Sequence, residues 1–375
     1  MDSCDVLIVG GGPAGSACAW KLRRAGLDAV ILDKQTFPRD KVCGGWITPA
    51  VLDELEIDAA EYARCRVFQP ITGFRTSRKG GPEVETDYGR PISFGIRRYE
   101  FDEYLLKRSG ACLLQGVCLT SLERSADHWI VNGQIKTPLV VGAGGHFCPV
   151  ARFLGAKVST EIIVAAQEAE FEMDAQQRAR CSIRGEIPEL YFCSDLRGYG
   201  WCFRKKNYLN VGLGRLDRHQ LSHHVTNFLE FLKATGKVSF DLPSGVLGHA
   251  YLLYGKTTRS IVGDGVMLIG DAAGLAYPQS GEGIRPAIES GLLAAKVIAS
   301  AEGRYSPEQL DQYRTLLVSR FGKSQKEWAF QIGCHLSPRL VNSLARLLLA
   351  THWFARHVVL DHWFLHSNEP ALDLG

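Results

Sequence analysis

The sequence predicts a mixed α/β protein with one parallel, doubly wound sheet, an inserted antiparallel sheet, and helices at the carboxyl end. Three observations predict this class: a strand, glycine-rich turn and helix at the amino end, a second glycine-rich turn after a buried strand near residue 270, and alternating strands between them. The parallel sheet is expected from residues 1–65, 97–160 and 255–300, the inserted sheet from 66–96 and 161–254, and the helical region from 301–375.

The amino end carries the pattern of a Rossmann-type dinucleotide-binding domain. Residues 5–9 are apolar after Asp5 and rich in β-branched side chains, which is typical of a strand buried on both faces. The turn that follows contains Gly10, Gly12 and Gly15 in a GxGxxG spacing, with Pro13 and Ala14 inside it. Glycine permits the tight turn and lets the backbone approach a pyrophosphate at the amino end of the next helix, predicted over residues 16–25.

A second strand completes this unit. Residues 29–32 are again apolar, and Asp33 follows at the carboxyl end, where a carboxylate can accept hydrogen bonds from a ribose diol. We expect Asp33 and the adjacent Lys34 to contact a dinucleotide. A lone GxGxxG is found in many ordinary loops, but strand, turn, helix and acid in this order favour a binding site.

The second glycine-rich segment decides which dinucleotide is expected. A buried strand ends in Gly-Asp-Ala-Ala-Gly around Asp271, and Gly281, Gly283 and Ile284 follow just before an apolar helix predicted over residues 285–300. The two segments together resemble the FAD-binding signatures of p-hydroxybenzoate hydroxylase-like flavoproteins. That resemblance implies bound FAD, a contact between Asp271 and the ribityl chain, and a helix whose positive end faces the flavin.

Two further residues are assigned to FAD by the same resemblance. Arg98 begins an R-x-x-F-D element, and Val117 lies at the end of a strand predicted over residues 112–118. The sequence contains no second GxGxxG, so no separate domain for a nicotinamide cofactor is expected. NAD(P)H is therefore predicted to act, if at all, as a transient electron donor.

Two other motifs narrow the family. Residues 38–45 match P-x-x-K-x-C-G-G, with Pro38, Lys41, Cys43, Gly44 and Gly45 at the fixed positions. Lys41, Gly44 and Gly45 are expected to contact the cofactor. Tyr199, Trp201 and Phe203 belong to a Y-x-W-x-F element followed by G-x-G. Both resemble the geranylgeranyl reductase branch of the flavoprotein superfamily, although Arg204 stands where that branch has proline.

The three aromatic residues are predicted to line a substrate pocket, because residues two apart on a strand share one face. Ordinary core packing is an equally good explanation of such a pattern. The resemblance places Cys43 near the flavin ring, where we expect it to position substrate or deliver a proton, with Lys41 lowering its pKa. Inert packing is the alternative, because a buried cysteine usually behaves as a small hydrophobe.

The predicted function is that of an FAD-dependent oxidoreductase that reduces a double bond of an apolar, prenyl, lipid-like or polyketide-like substrate. A flavin-dependent monooxygenase, or a halogenase, acting on an aromatic or phenolic substrate is the first alternative. An electron-transfer flavoprotein is the second.

Composition excludes several other classes. Hydrophobic residues make up 46% and charged residues 22% of the 375 residues, as in ordinary globular proteins. A net charge of +3 does not suggest nucleic acid as a partner. The eleven cysteines form no CxxC pair, so neither a metal site nor a disulfide framework is expected. The amino end has no basic signal-peptide region, and a cytoplasmic location is predicted.

The carboxyl-terminal segment from Ser337 to Leu365 has helical periodicity with basic residues beside its apolar stripe. We expect it to cap the inserted sheet, which is the usual fate of such a helix. Peripheral contact with a membrane is the alternative, because basic amphipathic helices with aromatic residues bind lipid interfaces. The residues concerned are Arg339, Leu340, Leu344, Arg346, Leu347, Leu348, Trp353, Phe354, Arg356 and His357.

Overall fold

The structure, a computed structural model, describes residues 2–156, 161, 163–216, 220–243, 245–256, 259–322 and 338–374. A six-stranded sheet, called here the nucleotide sheet, lies at its centre. Five of its strands are parallel, and a short antiparallel strand closes one edge. In spatial order the strands are Val262–Gly263, Val266–Leu268, Leu139–Gly142, Val6–Val9, Ala29–Asp33 and Cys112–Gln115.

A seven-stranded sheet, called here the roof sheet, is built from the two predicted inserted segments. Its strands pair antiparallel except at one place, where the strand Glu189–Phe192 runs parallel to Gly73–Arg78, contributed by the earlier segment. In spatial order the strands are Leu247–Leu252, Ile163–Glu172, Tyr208–Arg215, Gly198–Lys205, Glu189–Phe192, Gly73–Arg78 and Val84–Asp87. With the nucleotide sheet, this confirms the predicted fold class, although the roof sheet is not purely antiparallel.

Two small sheets complete the β structure. A four-stranded sheet contributes Leu122, Trp129, Val131 and Ile135 to the core of the nucleotide sheet. Its strands are Asp2–Ser3, Ile135–Thr137, His128–Val131 and Leu122–Ser125. A three-stranded sheet contains the strands Trp46–Ile47, Ser93–Ile96 and Phe68–Ile71.

Helices surround these sheets and account for much of the remaining chain. The helix predicted over residues 16–25 begins three residues earlier, because Pro13 fits the first helical position. The strand predicted over residues 112–118 ends at Gln115, because Gly116 has a φ of +74° and turns the chain. The helices are Pro13–Arg24, Pro49–Glu54, Ala59–Cys65, Arg98–Arg108, Pro149–Phe153, Ala175–Ala179, Leu221–Ala234, Ile284–Ser300, Pro307–Leu310, Gln312–Phe321, Pro338–Leu348 and His352–Phe354, with a 3-10 turn at Gly270–Ala272 and a π-helix at Ala355–Phe364.

The carboxyl-terminal π-helix caps the roof sheet. Its Val359, Leu360 and Phe364 are fully buried, in one cluster with Phe74 and Trp201 of roof-sheet strands. The segment therefore caps the sheet as expected, but through residues of the π-helix, whereas Leu344, Leu347, Leu348 and Trp353 of the predicted stripe are exposed. Ser337 lies outside the described residues, as do the side chains of residues 338–342, including Arg339 and Leu340. Among the described residues, no helix is long and apolar enough to cross a bilayer.

The two helices that follow the glycine-rich turns pack directly on each other. A Cβ placed on Gly291, in the helix Ile284–Ser300, would lie 2.4 Å from the backbone oxygen of Ala14 in the helix Pro13–Arg24. No side chain fits at that crossing, so the backbones meet there. This contact fixes the amino ends of both helices relative to each other.

Replacing Gly291 by Ala is therefore expected to separate the two helices and to lower the free energy of unfolding by about 1–3 kcal/mol, the usual cost of overpacking a core. Urea denaturation followed by circular dichroism measures this change. Gly245→Ala is the matched control, because a Cβ there meets no atom of the described residues within 4 Å. Equal stability of the two variants would contradict the assigned contact.

Candidate functional site

A cavity of about 930 Å³ lies between the nucleotide sheet and the roof sheet. Its volume is at the upper end of the range of roughly 300–1,000 Å³ found for small-molecule and cofactor pockets. Seventeen of the predicted site residues line it: Gly10, Gly12, Pro13, Ala14, Asp33, Lys34, Lys41, Cys43, Gly44, Arg98, Tyr199, Trp201, Phe203, Asp271, Gly281, Gly283 and Ile284. Their individual roles in binding stay predictions.

The first glycine-rich turn forms one end of the cavity. A Cβ on Gly10 would lie 2.4 Å from the backbone oxygen of Ala143, and Gly10 has a φ of +116°. Only glycine therefore fits between the two neighbouring strands. Gly12 precedes the helix Pro13–Arg24, and no side chain of the described residues caps that helix. The positive end of its dipole faces the cavity, which suits an anionic group.

Asp33 is held at the cavity edge by two backbone groups. The N–H of Gly11 donates to its Oδ2 over 2.7 Å, and the N–H of Gln35 donates to its Oδ1 over 2.8 Å. These bonds fix the carboxylate and leave acceptor lone pairs on each oxygen. Lys34, next to it, is exposed at the rim.

The second glycine-rich segment forms a facing wall. Gly281 has a φ of +68°, and a Cβ there would lie 2.3 Å from the hydroxyl oxygen of Tyr251. Gly283 and Ile284 follow, and again no described side chain caps the helix that begins at Ile284. Glu282 accepts the backbone N–H of Arg285 over 2.8 Å. Burial raises the pKa of Glu282 to about 7.

A charged cluster of Lys41, His249 and Asp271 stands in the cavity wall. The Nζ of Lys41 lies 2.8 Å from Nε2 of His249, and that nitrogen lies 3.6 Å from Oδ2 of Asp271. Burial lowers the pKa of Lys41 to about 8, although the charge of Asp271 opposes the shift. Burial and the charge of Lys41 also lower the pKa of His249, so its imidazole is neutral near pH 7.

The pKa of Asp271 is lowered, although burial alone would raise it. The neighbouring imidazole of His249 and the positive charges of Lys41 and Arg98 outweigh the burial. Asp271 therefore stays ionised, and acts as an acceptor in this wall of the cavity.

Arg98 reaches the cavity but has its charge engaged. Its Nε and Nη2 donate to the two carboxylate oxygens of Asp102, one helical turn later, over 2.6 and 2.7 Å. Arg39 lies 3.1 Å from the same carboxylate, which is fully buried. A contact between Arg98 and a cofactor stays a prediction.

Two side chains of the roof sheet hydrogen-bond to the loop that carries Cys43. The Cys43 N–H donates to Oε1 of Glu168 over 2.6 Å, and its carbonyl accepts from Nδ2 of Asn210 over 3.1 Å. Asn210 is held in turn by Nε1 of Trp201, which donates to its Oδ1 over 2.7 Å. The two sheets thus meet at this loop.

The electrostatics at Cys43 differ from the prediction. Burial raises the pKa of its thiol, the charge of Arg98 opposes this, and the carboxylate of Glu168 adds to it. The expectation that Lys41 lowers this pKa was wrong in its net result, because burial outweighs every nearby cation. Cys43 is therefore a neutral thiol near pH 7.

An aromatic wall closes the cavity under the roof sheet. Tyr199, Trp201 and Phe203 alternate along the strand Gly198–Lys205 and all line the cavity, as the two-residue spacing predicted. The Tyr199 hydroxyl donates to the backbone oxygen of Ser280. A Cβ on Gly212 would lie 2.3 Å from the Trp201 ring, so a glycine makes room for that indole.

Three predicted site residues do not line the cavity. Gly15 lies behind the first turn, where its Cβ would meet the Gly10 oxygen at 2.0 Å, so it serves the close packing of helix and strand. Gly45 has a φ of +66° and packs against Ile96 and Lys205. Val117 is 38% exposed, because the chain has already turned at Gly116.

Sequence reasoning missed several residues of the site. Leu247, His249 and Tyr251 are two residues apart on a roof-sheet strand and therefore share one face, and all three line the cavity. Their two-residue spacing in the sequence could have predicted this shared face. No sequence pattern indicates the role of Glu168, because that role depends on contact with the distant loop of Cys43.

Metal ligation finds no support in the described chain. Within the residues that the structure describes, no group of three or more His, Cys, Asp and Glu side chains could hold a metal ion. The ten cysteines in those residues are all free thiols.

The contribution of Glu168 to the Cys43 pKa can be measured. In Glu168→Gln the hydrogen bond from the Cys43 N–H is kept and the negative charge is lost, so the thiol pKa should fall. Iodoacetamide alkylation of Cys43 at pH 8.5, resolved by peptide mass spectrometry, is expected to accelerate by up to about tenfold for one unit of pKa. Glu172→Gln, exposed on the same strand, should leave the rate unchanged. Equal rates in both variants would refute the electrostatic assignment.

Comparison with known proteins agrees with this architecture. A family model described as "NAD(P)-binding Rossmann-like domain" matches residues 8–78. Among solved structures, a geranylgeranyl bacteriochlorophyll reductase-like protein from Thermoplasma acidophilum aligns with a TM-score of 0.77 and 23% identity, covering 98% of each chain. A halogenase in complex with FAD aligns with a TM-score of 0.70 and 18% identity, covering 94% of this chain and 78% of the halogenase.

Sequence relatives are closer. A menaquinone reductase of Mycobacterium tuberculosis is 31% identical over 353 residues, covering 86% of this chain and 81% of the relative. A digeranylgeranylglycerophospholipid reductase of Methanosphaera stadtmanae is 30% identical over 346 residues, covering 86% and 85%. The chain is thus an oxidoreductase, and it belongs to the geranylgeranyl reductase-like family of p-hydroxybenzoate hydroxylase-type FAD-dependent oxidoreductases.

Proposed function

We propose that the protein binds FAD in the cavity and reduces a carbon–carbon double bond of an apolar substrate of the prenyl type. The single observation that carries this proposal is the continuity of the cavity. One 930 Å³ space has an uncapped helix and glycine turns at one end, and an aromatic wall at the other.

The residues present fit FAD on structural grounds. Gly10 and Gly281 line the cavity without side chains, because protein atoms already occupy the positions that their Cβ atoms would take, so a ligand meets bare backbone at both turns. The helix end after Gly12 suits the pyrophosphate, and the fixed carboxylate of Asp33 suits a ribose. Ionised Asp271, also in the cavity lining, supplies an acceptor for the hydroxyls of the ribityl chain.

FAD, when bound, would supply hydride chemistry that no amino-acid side chain can supply. The protein would contribute binding, orientation and electrostatics. Trp201 and Phe203 offer an apolar surface for an isoprenoid chain and exclude water from it. Cys43, as a neutral thiol between this wall and the glycine turns, holds a proton on the side of the cavity where substrate would lie.

The electron donor is proposed to be NAD(P)H bound transiently. A second dinucleotide-binding turn is lacking in the sequence, so the donor has no domain of its own. It would therefore have to approach the same cavity from solvent.

A flavin-dependent monooxygenase or halogenase is the second candidate. The structural similarity to halogenases favours it, and so does Arg204 in place of the proline of the reductase motif. Oxygen uptake coupled to an oxygenated or halogenated product would support this candidate. An electron-transfer flavoprotein is less well supported, because the cavity extends from the glycine turns to an aromatic wall with room for a substrate.

The purified protein is expected to be yellow and to lose its flavin absorbance during anaerobic titration with NADPH. Asp271→Ala should weaken the affinity for FAD by tenfold or more, since a buried charged hydrogen bond is worth about 1.5–3 kcal/mol. Asp264→Ala is the control, because Asp264 does not line the cavity and pairs with Arg124 at the surface. A colourless wild-type protein that does not bind added FAD would overturn the proposal.

The aromatic wall should govern affinity for an apolar ligand. Phe203→Ala is expected to weaken binding of menaquinone by roughly tenfold or more, because burial of a phenyl ring is worth about 1.5–3 kcal/mol. Quenching of intrinsic fluorescence by added menaquinone measures this affinity. Phe231→Ala, in a helix on the far side of the roof sheet from the cavity lining, should leave it unchanged. Equal affinity in all three proteins would remove the wall from the substrate site.

A further inference from the structure

An exposed apolar surface lies on the helix Pro338–Leu348 and the turn after it. Leu344, Leu347 and Leu348 occupy one helical face by their i, i+3, i+4 spacing and are 44%, 67% and 43% exposed. Trp353 is 65% exposed just beyond the helix. We name these four residues the leucine–tryptophan face. Single exposed hydrophobes are ordinary, but four large ones within ten residues of the chain indicate an interaction surface.

The opposite side of the same helix is basic. Arg346 lines a pocket of about 230 Å³ together with Arg78, Lys79 and the backbone of Gly80 and Gly81. Arg78 donates through Nη2 to Ser194 O, and its buried Nε has no hydrogen-bond partner in the described chain.

The acidic side chain of Asp361, in the neighbouring π-helix, already has partners. Asp361 of the neighbouring π-helix accepts the hydroxyl proton of Tyr88 over 2.7 Å and lies 3.3 Å from His357. The guanidinium of Arg356 lies over the Tyr88 ring at 4.7 Å. Four basic side chains, Arg78, Lys79, Arg346 and Arg356, thus stand against the one carboxylate of Asp361, which complements an anionic surface.

This helix is also continuous with the apolar end of the cavity. Leu349, at its carboxyl end, turns inward and is 6% exposed. It belongs to one hydrophobic cluster with Trp46, Trp201 and Phe203, which line the cavity. The exposed face and the aromatic wall are thus two sides of one packed layer.

We propose that the leucine–tryptophan face seats the protein on the surface of an anionic lipid bilayer, with the apolar side chains at the acyl boundary. The helix then lies in the interface with its basic side at the level of the lipid phosphates, where Arg346, Arg78 and Lys79 meet them. An apolar substrate dissolved in the bilayer would be close to the aromatic wall. Lipid binding itself does not depend on which reaction the protein catalyses.

Flotation with vesicles of phosphatidylcholine and phosphatidylglycerol tests the proposal on the full-length, flavin-loaded protein. The wild type is expected to float with mixed vesicles, and less with pure phosphatidylcholine or in high salt. Leu347→Glu with Trp353→Glu should reduce the bound fraction at both compositions by about tenfold or more. Arg346→Glu should reduce it about fivefold on the anionic vesicles alone.

Val318→Glu is the matched control, because Val318 is 43% exposed on the separate helix Gln312–Phe321. It should float as the wild type does. Failure of the wild type to float on anionic vesicles would overturn the proposal, as would unchanged flotation of the double variant. A wild-type dimer that dissociates in the double variant would assign the face to a second copy of the chain, and would also overturn it. If the double variant misfolds, the dependence of wild-type flotation on lipid composition and salt still tests whether the protein binds an anionic bilayer.

Discussion

The site depends on the hydrogen bonds between the roof sheet and the Cys43 loop. Glu168 and Asn210, from two adjacent strands, hold the N–H and the carbonyl of the same residue. The Glu168 and Asn210 side chains are buried, and loss of the partner of a buried polar group costs more than the bond itself contributes. Because the loop follows the nucleotide-binding unit in the chain, these two hydrogen bonds join the glycine turns and the aromatic wall into one cavity.

Charge within that cavity is arranged to keep side chains in defined protonation states. Burial pushes Lys41 and His249 toward their neutral forms and keeps Cys43 as a thiol, whereas Asp271 stays ionised because positive charges surround it. A proton can therefore be held at Cys43 or Lys41 near neutral pH without an uncompensated buried charge.

The sequence predicted the parts of the site that depend on local backbone geometry. The turns at Gly10 and Gly281 were identifiable because only glycine fits their conformations, and the alternation of Trp201 and Phe203 because strand geometry fixes the face. Contacts between distant segments were not predictable. Glu168 lies 125 positions from Cys43, and nothing near it in the chain indicates the loop that it holds. The raised pKa of Cys43 was not predictable either, because it results from burial in the folded protein.

The central claim is that reducing equivalents reach a carbon–carbon double bond of an apolar substrate. It is tested most directly by a single turnover without oxygen. The flavin-loaded protein is photoreduced and mixed with menaquinone, and the quinone is then analysed by mass spectrometry. The account predicts reoxidised flavin and a product heavier by two hydrogen atoms in its prenyl chain. Flavin that stays reduced until oxygen is admitted, together with an oxygenated product, would contradict it.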